Sequence, residues 1–149
     1  MGEIDDRKES IRGEYGFFSS PQELFEYIIL KNKAAEPLAK ELKTEQNLVK
    51  GCVSSLWLAE SFENGKCRFS SDADSVITRG IAALVCGMYD GLAPEQVLEF
   101  DPAFLEELGI TSHLTPNRRN GLSQLCKRIA DFAKAHLGGG SEEKSGKNA

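Results

Sequence analysis

Basic charge, long apolar runs and secretory features are all scarce in this sequence of 149 residues. Acidic residues outnumber basic ones by 23 to 18, for a formal net charge of -5. Because phosphate backbones are bound by basic surfaces, nucleic acid is not an expected partner. No apolar run is long enough to span a membrane, so no membrane partner is expected. The acidic N-terminal segment lacks the apolar stretch of a secretory signal, and we expect a cytoplasmic protein whose thiols stay reduced.

The four cysteines and two histidines do not show the spacings of common metal sites. No two cysteines form a C-x2-C pair, and His113 and His136 form no H-x3-5-H pattern. Small zinc and iron–sulfur sites usually carry such short spacings. A phosphate-binding loop, a dinucleotide fingerprint and a G-x-S-x-G motif are missing as well. We therefore expect no bound metal and no cofactor, and a protein that is not a self-sufficient enzyme.

Length and composition are typical of one globular domain with a hydrophobic core. Hydrophobic residues make up 40% of the chain and charged residues 28%, which are ordinary fractions for such a domain. Residues 1–18 are charged and weakly patterned, which predicts a flexible acidic lead-in. Residues 19–137 are expected to form the domain. Residues 138–149 are rich in glycine and serine and are expected to be a disordered tail.

Capping patterns and prolines predict where the helices begin. The tetrapeptide Ser20–Glu23 has the form of a capping box with proline at the first helical position, and a second helical stretch is expected over about 34–42. Ser71–Asp74 predicts another capping box, opening a helix that ends at Gly91. Further starts are predicted near Pro94, Pro102 and Thr115, the last of these followed by an apolar stripe made of Leu122, Leu125, Ile129, Phe132 and Ala133.

Residues 54–62 favour a strand, and Asn64-Gly65 is a strong signal for a two-residue hairpin turn. That turn pairs Glu63 with Lys66 and places one apolar face inward, made of Leu56, Leu58, Phe62, Cys67 and Phe69. Helices precede and follow this hairpin. The sequence therefore predicts an α+β fold, a short antiparallel sheet of about three strands with helices packed on one face.

Cys52 is the one cysteine that the pattern places in a loop. Gly51 precedes it and frees the backbone there, whereas Cys67, Cys86 and Cys126 fall on predicted core faces, where a free thiol packs as a small apolar group. A loop thiol is accessible for chemistry. A buried loop cysteine that only packs has the same pattern, and the residues alone do not separate the two interpretations.

Three further side chains are candidates for support or binding. Arg118 and Arg119 lie in the first turn of the last helix, where cations oppose the helix dipole. Arg118 is either a solvated side chain or a contact for an anion or a partner carboxylate. His113 is either a base or a hydrogen-bonding loop residue. Asp74 is expected to cap or support the first turn of its helix.

Three separated motifs resemble the SufE family, whose members accept sulfur from cysteine desulfurases. They lie between about Ser20 and Phe132 and are Gly51-Cys52-x-Ser54-x-x-Trp57, then Ser71-Asp72-Ala73-Asp74, then His113-Leu114-Thr115-Pro116-x-Arg118-x-x-Gly121-Leu122. The family's fold, a short antiparallel sheet with helices, agrees with the fold predicted above. Val53 and Arg119 depart from residues that are common in the family.

The resemblance implies a sulfur carrier and desulfurase activator. Cys52 aligns with the family's sulfur-accepting cysteine. It would take persulfide sulfur from a PLP-dependent cysteine desulfurase of the SufS or CSD type and deliver it to an Fe–S scaffold. Gly51, Asp74, His113 and Arg118 would shape the loop or dock the partner. A labile persulfide needs shielding, so we expect Cys52 to be largely buried when the protein is alone.

Other functions remain open at this point. An Fe–S cluster scaffold would need several converging ligands. A thiol-dependent enzyme acting on a small molecule would need a base beside Cys52, and His113 is the plausible one. In a plain interaction module Cys52 would be incidental.

Overall fold

The computed structural model describes residues 2–33, 37–52 and 54–138, and these ranges contain six α-helices and two strands. Within them, no helix combines the length and the apolar character needed to cross a membrane. Two 3-10 helices, Lys40–Leu42 and Thr111–His113, lie in the connections. In chain order the elements are α1 Glu3–Tyr15, α2 Pro21–Lys33, β1 Leu56–Glu63, β2 Lys66–Ala73, α3 Val76–Tyr89, α4 Pro94–Glu99, α5 Phe104–Glu107 and α6 Pro116–Ala135.

The predicted hairpin and its register are confirmed. β1 and β2 are antiparallel, with Glu63 opposite Lys66, and Asn64 and Gly65 both have positive φ, as this turn requires. The predicted inward face is buried. The count of about three strands is wrong for the described residues, which contain two. The segment before β1 pairs with β1 only at one bridge, between Leu48 and Trp57, because this segment turns away from the hairpin soon afterwards.

Helix α3 is the centre of the fold, since it packs against β2, α2 and α6. Its predicted apolar positions Ile81, Leu84, Val85 and Met88 are all buried. The stripe predicted for α6 is buried too, except for Phe132, which packs at the edge of the core. The α+β fold class is therefore the predicted one.

The prediction of a flexible lead-in is wrong for residues 3–15, which form α1. Tyr15 is buried in the core, and Arg7 donates from Nη1 to the carbonyl oxygens of Met88 at 3.1 Å and Asp90 at 2.5 Å. These carbonyls lie at the end of α3, where the helix leaves its acceptors unsatisfied. Because a charged side chain attaches α1 at this point, the segment lacks the strong apolar periodicity from which a packed helix is predicted.

The predicted capping box at Ser71–Asp74 is also wrong. Strand β2 continues to Ala73, and the residue that caps α3 is Ser75, whose Oγ accepts from the Thr78 amide at 3.5 Å. Asp72 is buried in the strand and binds the side chain of Arg79, Nε to Oδ1, at 3.0 Å. Its carboxylate therefore serves a tertiary contact and does not cap the helix.

The helix predicted over about 34–42 is not found in the described part of that segment. Residues 34–36 lie outside the described residues, residues 37–39 have no regular structure, and only Lys40–Leu42 form a 3-10 turn. The amide of Leu38 donates to Asp72 Oδ2 at 3.0 Å. A bond to the distant strand replaces the local bond that a helix would have made.

The other predicted starts are close to the observed ones. The Glu23 amide donates to Ser20 Oγ at 3.2 Å ahead of α2, and the Arg118 amide donates to Thr115 Oγ1 at 3.3 Å ahead of α6. Helix α4 begins at Pro94, and α5 begins just after Pro102. The tail from 139 onward lies outside the described residues, so the limits of the domain and the tail stay predictions.

Candidate functional site

Cys52 lines a cavity of about 320 Å³ between its loop, α3 and α6. Gly51 directs the chain into this position with φ +87, a conformation that side-chain-bearing residues rarely adopt. The Cys52 side chain is half-buried, where the sequence led us to expect a largely buried one. Its Sγ lies 3.0 Å from the point at which a Cβ on Gly121 would stand. The thiol therefore packs directly on the backbone of α6, at a place where a Cβ would crowd it.

The cavity is apolar inside and polar at its edge. Its polar lining residues are half-buried or exposed, namely Ser54, Ser75, Thr78, Thr115, Asn117 and Arg118. Its apolar lining residues are all buried, namely Leu56, Ile81, Ala82, Leu114, Leu122 and Leu125. The cavity therefore places an apolar wall beside the Cys52 thiol and leaves its polar groups near solvent.

Arg118 is fixed at the edge of this cavity. Its Nη1 donates to Ser75 Oγ at 3.1 Å and to Thr78 Oγ1 at 3.0 Å. These bonds join the N-terminal ends of α3 and α6, while the side chain stays exposed and keeps further N–H donors for an incoming group. Arg119 has a different contact, from its Nη1 to the Leu114 carbonyl at 2.7 Å.

The structure brings together Gly51, Cys52 and Arg118, but not every residue that the sequence singled out. Asp74 is exposed and adjoins the cavity-lining Ser75. His113 lines a different cavity, of about 170 Å³, beside the α1–α2 connection. The Nδ1 of His113 lies 3.0 Å from the Gly109 carbonyl oxygen.

Three residues of the site, Ser75, Thr78 and Asn120, were not predicted from the sequence. Asn120 Nδ2 donates to the Gly51 carbonyl at 2.7 Å, and Ser75 and Thr78 hold Arg118. No local pattern marks such contacts, because their partners are 40 to 69 positions apart in the chain. Among the described residues, no three His, Cys, Asp or Glu side chains are grouped so that they could hold a metal ion.

The electrostatics of the four thiols separate Cys52 from the others. Burial raises the pKa of Cys67 to about 11 and the pKa values of Cys86 and Cys126 to about 12. Burial also raises the pKa of Cys52 above that of an ordinary thiol. In the free protein at neutral pH, the reactive thiolate of Cys52 is therefore a minor species.

This raised pKa predicts how Cys52 reacts with an alkylating reagent. The thiolate is the reacting form, so the rate should climb with pH and level off only above the pKa of the same thiol in the unfolded chain. At pH 8 native Cys52 should react more slowly than unfolded Cys52. Iodoacetamide rates from pH 7 to 10, assigned by peptide mapping with and without denaturant, measure this. A native midpoint below the unfolded one would contradict it.

The fold and the site define a small α+β domain that presents a half-buried loop thiol at an apolar cavity. The model of the SufE family, described as an Fe–S metabolism associated domain, matches residues 9–133. The chain therefore belongs to the SufE family, which its motifs resemble, and it is associated with Fe–S metabolism.

Two relatives agree with this membership. An uncharacterized SufE-like protein of Synechocystis sp. is 32% identical over 117 residues, covering 78% of this chain and 74% of the relative. The SufE-like protein 1, chloroplastic/mitochondrial, of Arabidopsis thaliana is 35% identical over 126 residues, covering 84% of this chain and 34% of the relative. This chain thus spans about a third of the Arabidopsis protein.

The solution structure of a hypothetical protein from Thermus thermophilus has a similar fold. Its TM-score is 0.69 at 24% identity, and the match covers 88% of this chain and 96% of that one. At this identity the likeness supports the fold alone.

Proposed function

We propose that this protein accepts sulfur from the persulfide of a PLP-dependent cysteine desulfurase on Cys52 and delivers it for Fe–S cluster assembly. The observation that carries the proposal is the position of Cys52, a half-buried loop thiol on a cavity with an apolar wall. Membership of a family associated with Fe–S metabolism supports it. In this role the protein is a carrier and an activator of the desulfurase, with an Fe–S scaffold as the recipient.

The transfer is an exchange between sulfur atoms without a net redox change. The Cys52 thiolate attacks the terminal sulfur of the desulfurase Cys–S–SH group, the S–S bond of that persulfide breaks, and the desulfurase cysteine leaves as a thiolate. Cys52 then carries the persulfide. Unloading the desulfurase allows its next turnover, so its rate rises.

The resting position of Cys52 fits a carrier that must avoid side reactions. Because burial raises the pKa of Cys52, little thiolate is available to stray disulfides or oxidants. Against the apolar wall, a persulfide would be screened from free thiols between transfers. Reaction with the desulfurase requires the loop to extend, and the positive φ at Gly51 makes this the natural hinge.

The edge of the cavity is the expected docking point for the desulfurase. Arg118 and Asp74 are both exposed at this edge. Arg118 is hydrogen-bonded to Ser75, and Asp74 precedes Ser75 in the chain. Charged groups of both signs help to orient a partner. A thiol-dependent enzyme would need a base beside Cys52. His113 makes its contact with the Gly109 carbonyl instead, at 3.0 Å.

A sulfur-loading experiment tests the proposal. The protein is incubated with a cysteine desulfurase and free cysteine without reductant, then analysed by intact mass and peptide mapping. We expect one added sulfur atom on the Cys52 peptide, removable by reductant, and none when cysteine is omitted. Sulfur on Cys126 instead of Cys52, or no added sulfur with desulfurases of each class, would overturn the proposal.

A further inference from the structure

We propose that Asn120 is a positioning residue that holds the Cys52 loop in its retracted state and so sets how often the thiol is exposed. This inference rests on the sulfur-acceptor function proposed above, since it concerns the regulation of the same site. The contact that carries it is the hydrogen bond from Asn120 Nδ2 to the Gly51 carbonyl, 2.7 Å long.

The bond acts at the residue where the loop would hinge. Gly51 precedes Cys52 and has φ +87, so the direction of its carbonyl is coupled to the direction in which Cys52 leaves the turn. Gly51 also lies close against α6. A Cβ at this position would stand 3.1 Å from Asn120 Nδ2 and 3.1 Å from Gln124 Cγ. Extension of Cys52 away from α6 would break the Asn120 bond.

Helix α6 contacts this loop at its start and again at Gly51. At the start, Arg128 Nη1 donates to the Leu48 carbonyl at 3.1 Å, and the Val49 amide donates to the Leu56 carbonyl at 2.7 Å. In the described part of the loop, this pairing with β1 ends at Val49. Past that point, Asn120 donates a hydrogen bond to the loop backbone at Gly51. The next residue of α6, Gly121, is the one against which the Cys52 sulfur packs.

The strength of the contact suits a switchable restraint. Asn120 is exposed, so water competes for both partners once the bond opens. A hydrogen bond of this kind shifts an equilibrium by about two- to tenfold. A restraint of this size favours the retracted state, and a docking partner can overcome it.

The substitution Asn120→Asp removes the donor while keeping the shape of the side chain. Its carboxylate would face the Gly51 carbonyl with an acceptor, and the retracted state should lose the bond. Asparagine and aspartate have similar helix propensities, so the helix itself should not be weakened. Asn120→Ala removes the donor without adding a charge. Ser123→Ala, at an exposed position of the same helix, is the matched control.

The measurement is the rate of iodoacetamide reaction at Cys52 in the free, folded protein at one pH, assigned by peptide mapping. We expect a rate about two- to tenfold higher in Asn120→Asp and in Asn120→Ala, with the melting temperature lowered by no more than a few degrees, and no change of rate in Ser123→Ala. Unchanged rates in both Asn120 variants would overturn the proposal. So would a higher rate matched by equal acceleration at the buried Cys67, since that would indicate general unfolding.

This experiment is independent of the sulfur-loading test. It needs no desulfurase, so an unchanged alkylation rate would reject the role of Asn120 and leave sulfur acceptance standing. Failure of the wild-type protein to load sulfur would reject the proposed function, whatever the alkylation rates of the Asn120 variants.

Discussion

Replacing Cys52 with serine is expected to reduce desulfurase stimulation to the level measured without this protein. A hydroxyl does not form the S–S bond that the transfer requires, and its oxygen is not ionised at neutral pH. The side chain is half-buried, so the free energy of unfolding should change by no more than about 1 kcal/mol. Sulfide release from cysteine, with circular dichroism to verify the fold, measures both effects.

Cys126→Ser is the matched control, because Cys126 is a second half-buried free thiol. It packs against the core, and its burial raises its pKa to about 12. The variant should keep full stimulation and lose some stability, since a hydroxyl is less favourable than a thiol in apolar surroundings. Full stimulation by Cys52→Ser would contradict the proposed acceptor.

The second large effect is expected on stability, from Asp72→Ala. The Asp72 side chain is 2% exposed and accepts from the Leu38 and Ala73 amides at 3.0 and 2.8 Å. It also pairs with Arg79 and Lys43, each at 3.0 Å. Alanine would leave these donors without their acceptor.

Breaking a buried pair in this way is costly, although the two cations are about one-third exposed and regain some hydration. We therefore expect a loss of about 2–3 kcal/mol in the free energy of unfolding. Urea denaturation at pH 7 measures this. A loss below about 0.5 kcal/mol, typical of an ordinary surface position, would contradict it.

The contribution of Asp72 should also depend on pH. Burial by itself would raise the pKa of Asp72, but hydrogen bonds from Lys43 and from the amides of Ala73 and Leu38 outweigh it and lower the pKa. A pKa lower in the folded than in the unfolded state stabilises the protein above the unfolded value, near pH 4. This stabilisation is lost as the pH falls through the folded value.

Asp72→Asn tests the charge separately from the shape. The wild type should be more stable than this variant at pH 7, and the difference should shrink as the pH is lowered from 4 toward 2. Urea midpoints measured at both ends of that range give the comparison. A difference independent of pH would mean that the charge of Asp72 contributes nothing.

Elements whose signals are local were predictable from the residues alone. Asn64 and Gly65 adopt positive φ within the turn that they form, so the hairpin, its register and its buried face were predictable. Helix α6 was predictable because Thr115 caps it within one turn. The motifs around Cys52 and Arg118 identified the family, since they lie in short separate stretches of the chain.

Tertiary structure decided the features whose partners are far apart in sequence. Ser71–Asp74 has the form of a capping box, yet β2 continues to Ala73 and the Asp72 carboxylate binds Leu38 and Lys43. Helix α3 is therefore capped by Ser75 and begins at Val76. Helix α1 is held by the bonds of Arg7 to the end of α3. Neither arrangement has a periodic pattern that would predict it.

The same division holds within the site. Cys52 and the preceding Gly51 stand out from residue type and spacing alone. The Gly51–Asn120 bond joins residues 69 positions apart, and Gly121 matters because the Cys52 sulfur approaches its backbone. Sequence patterns reflect backbone preferences between residues that are close in the chain. The side chains that restrain a thiol come from distant parts of the chain and meet only in the completed fold. The position of Cys52 in a loop was therefore predictable from the sequence, whereas the side chains that surround it depend on the packing of α6.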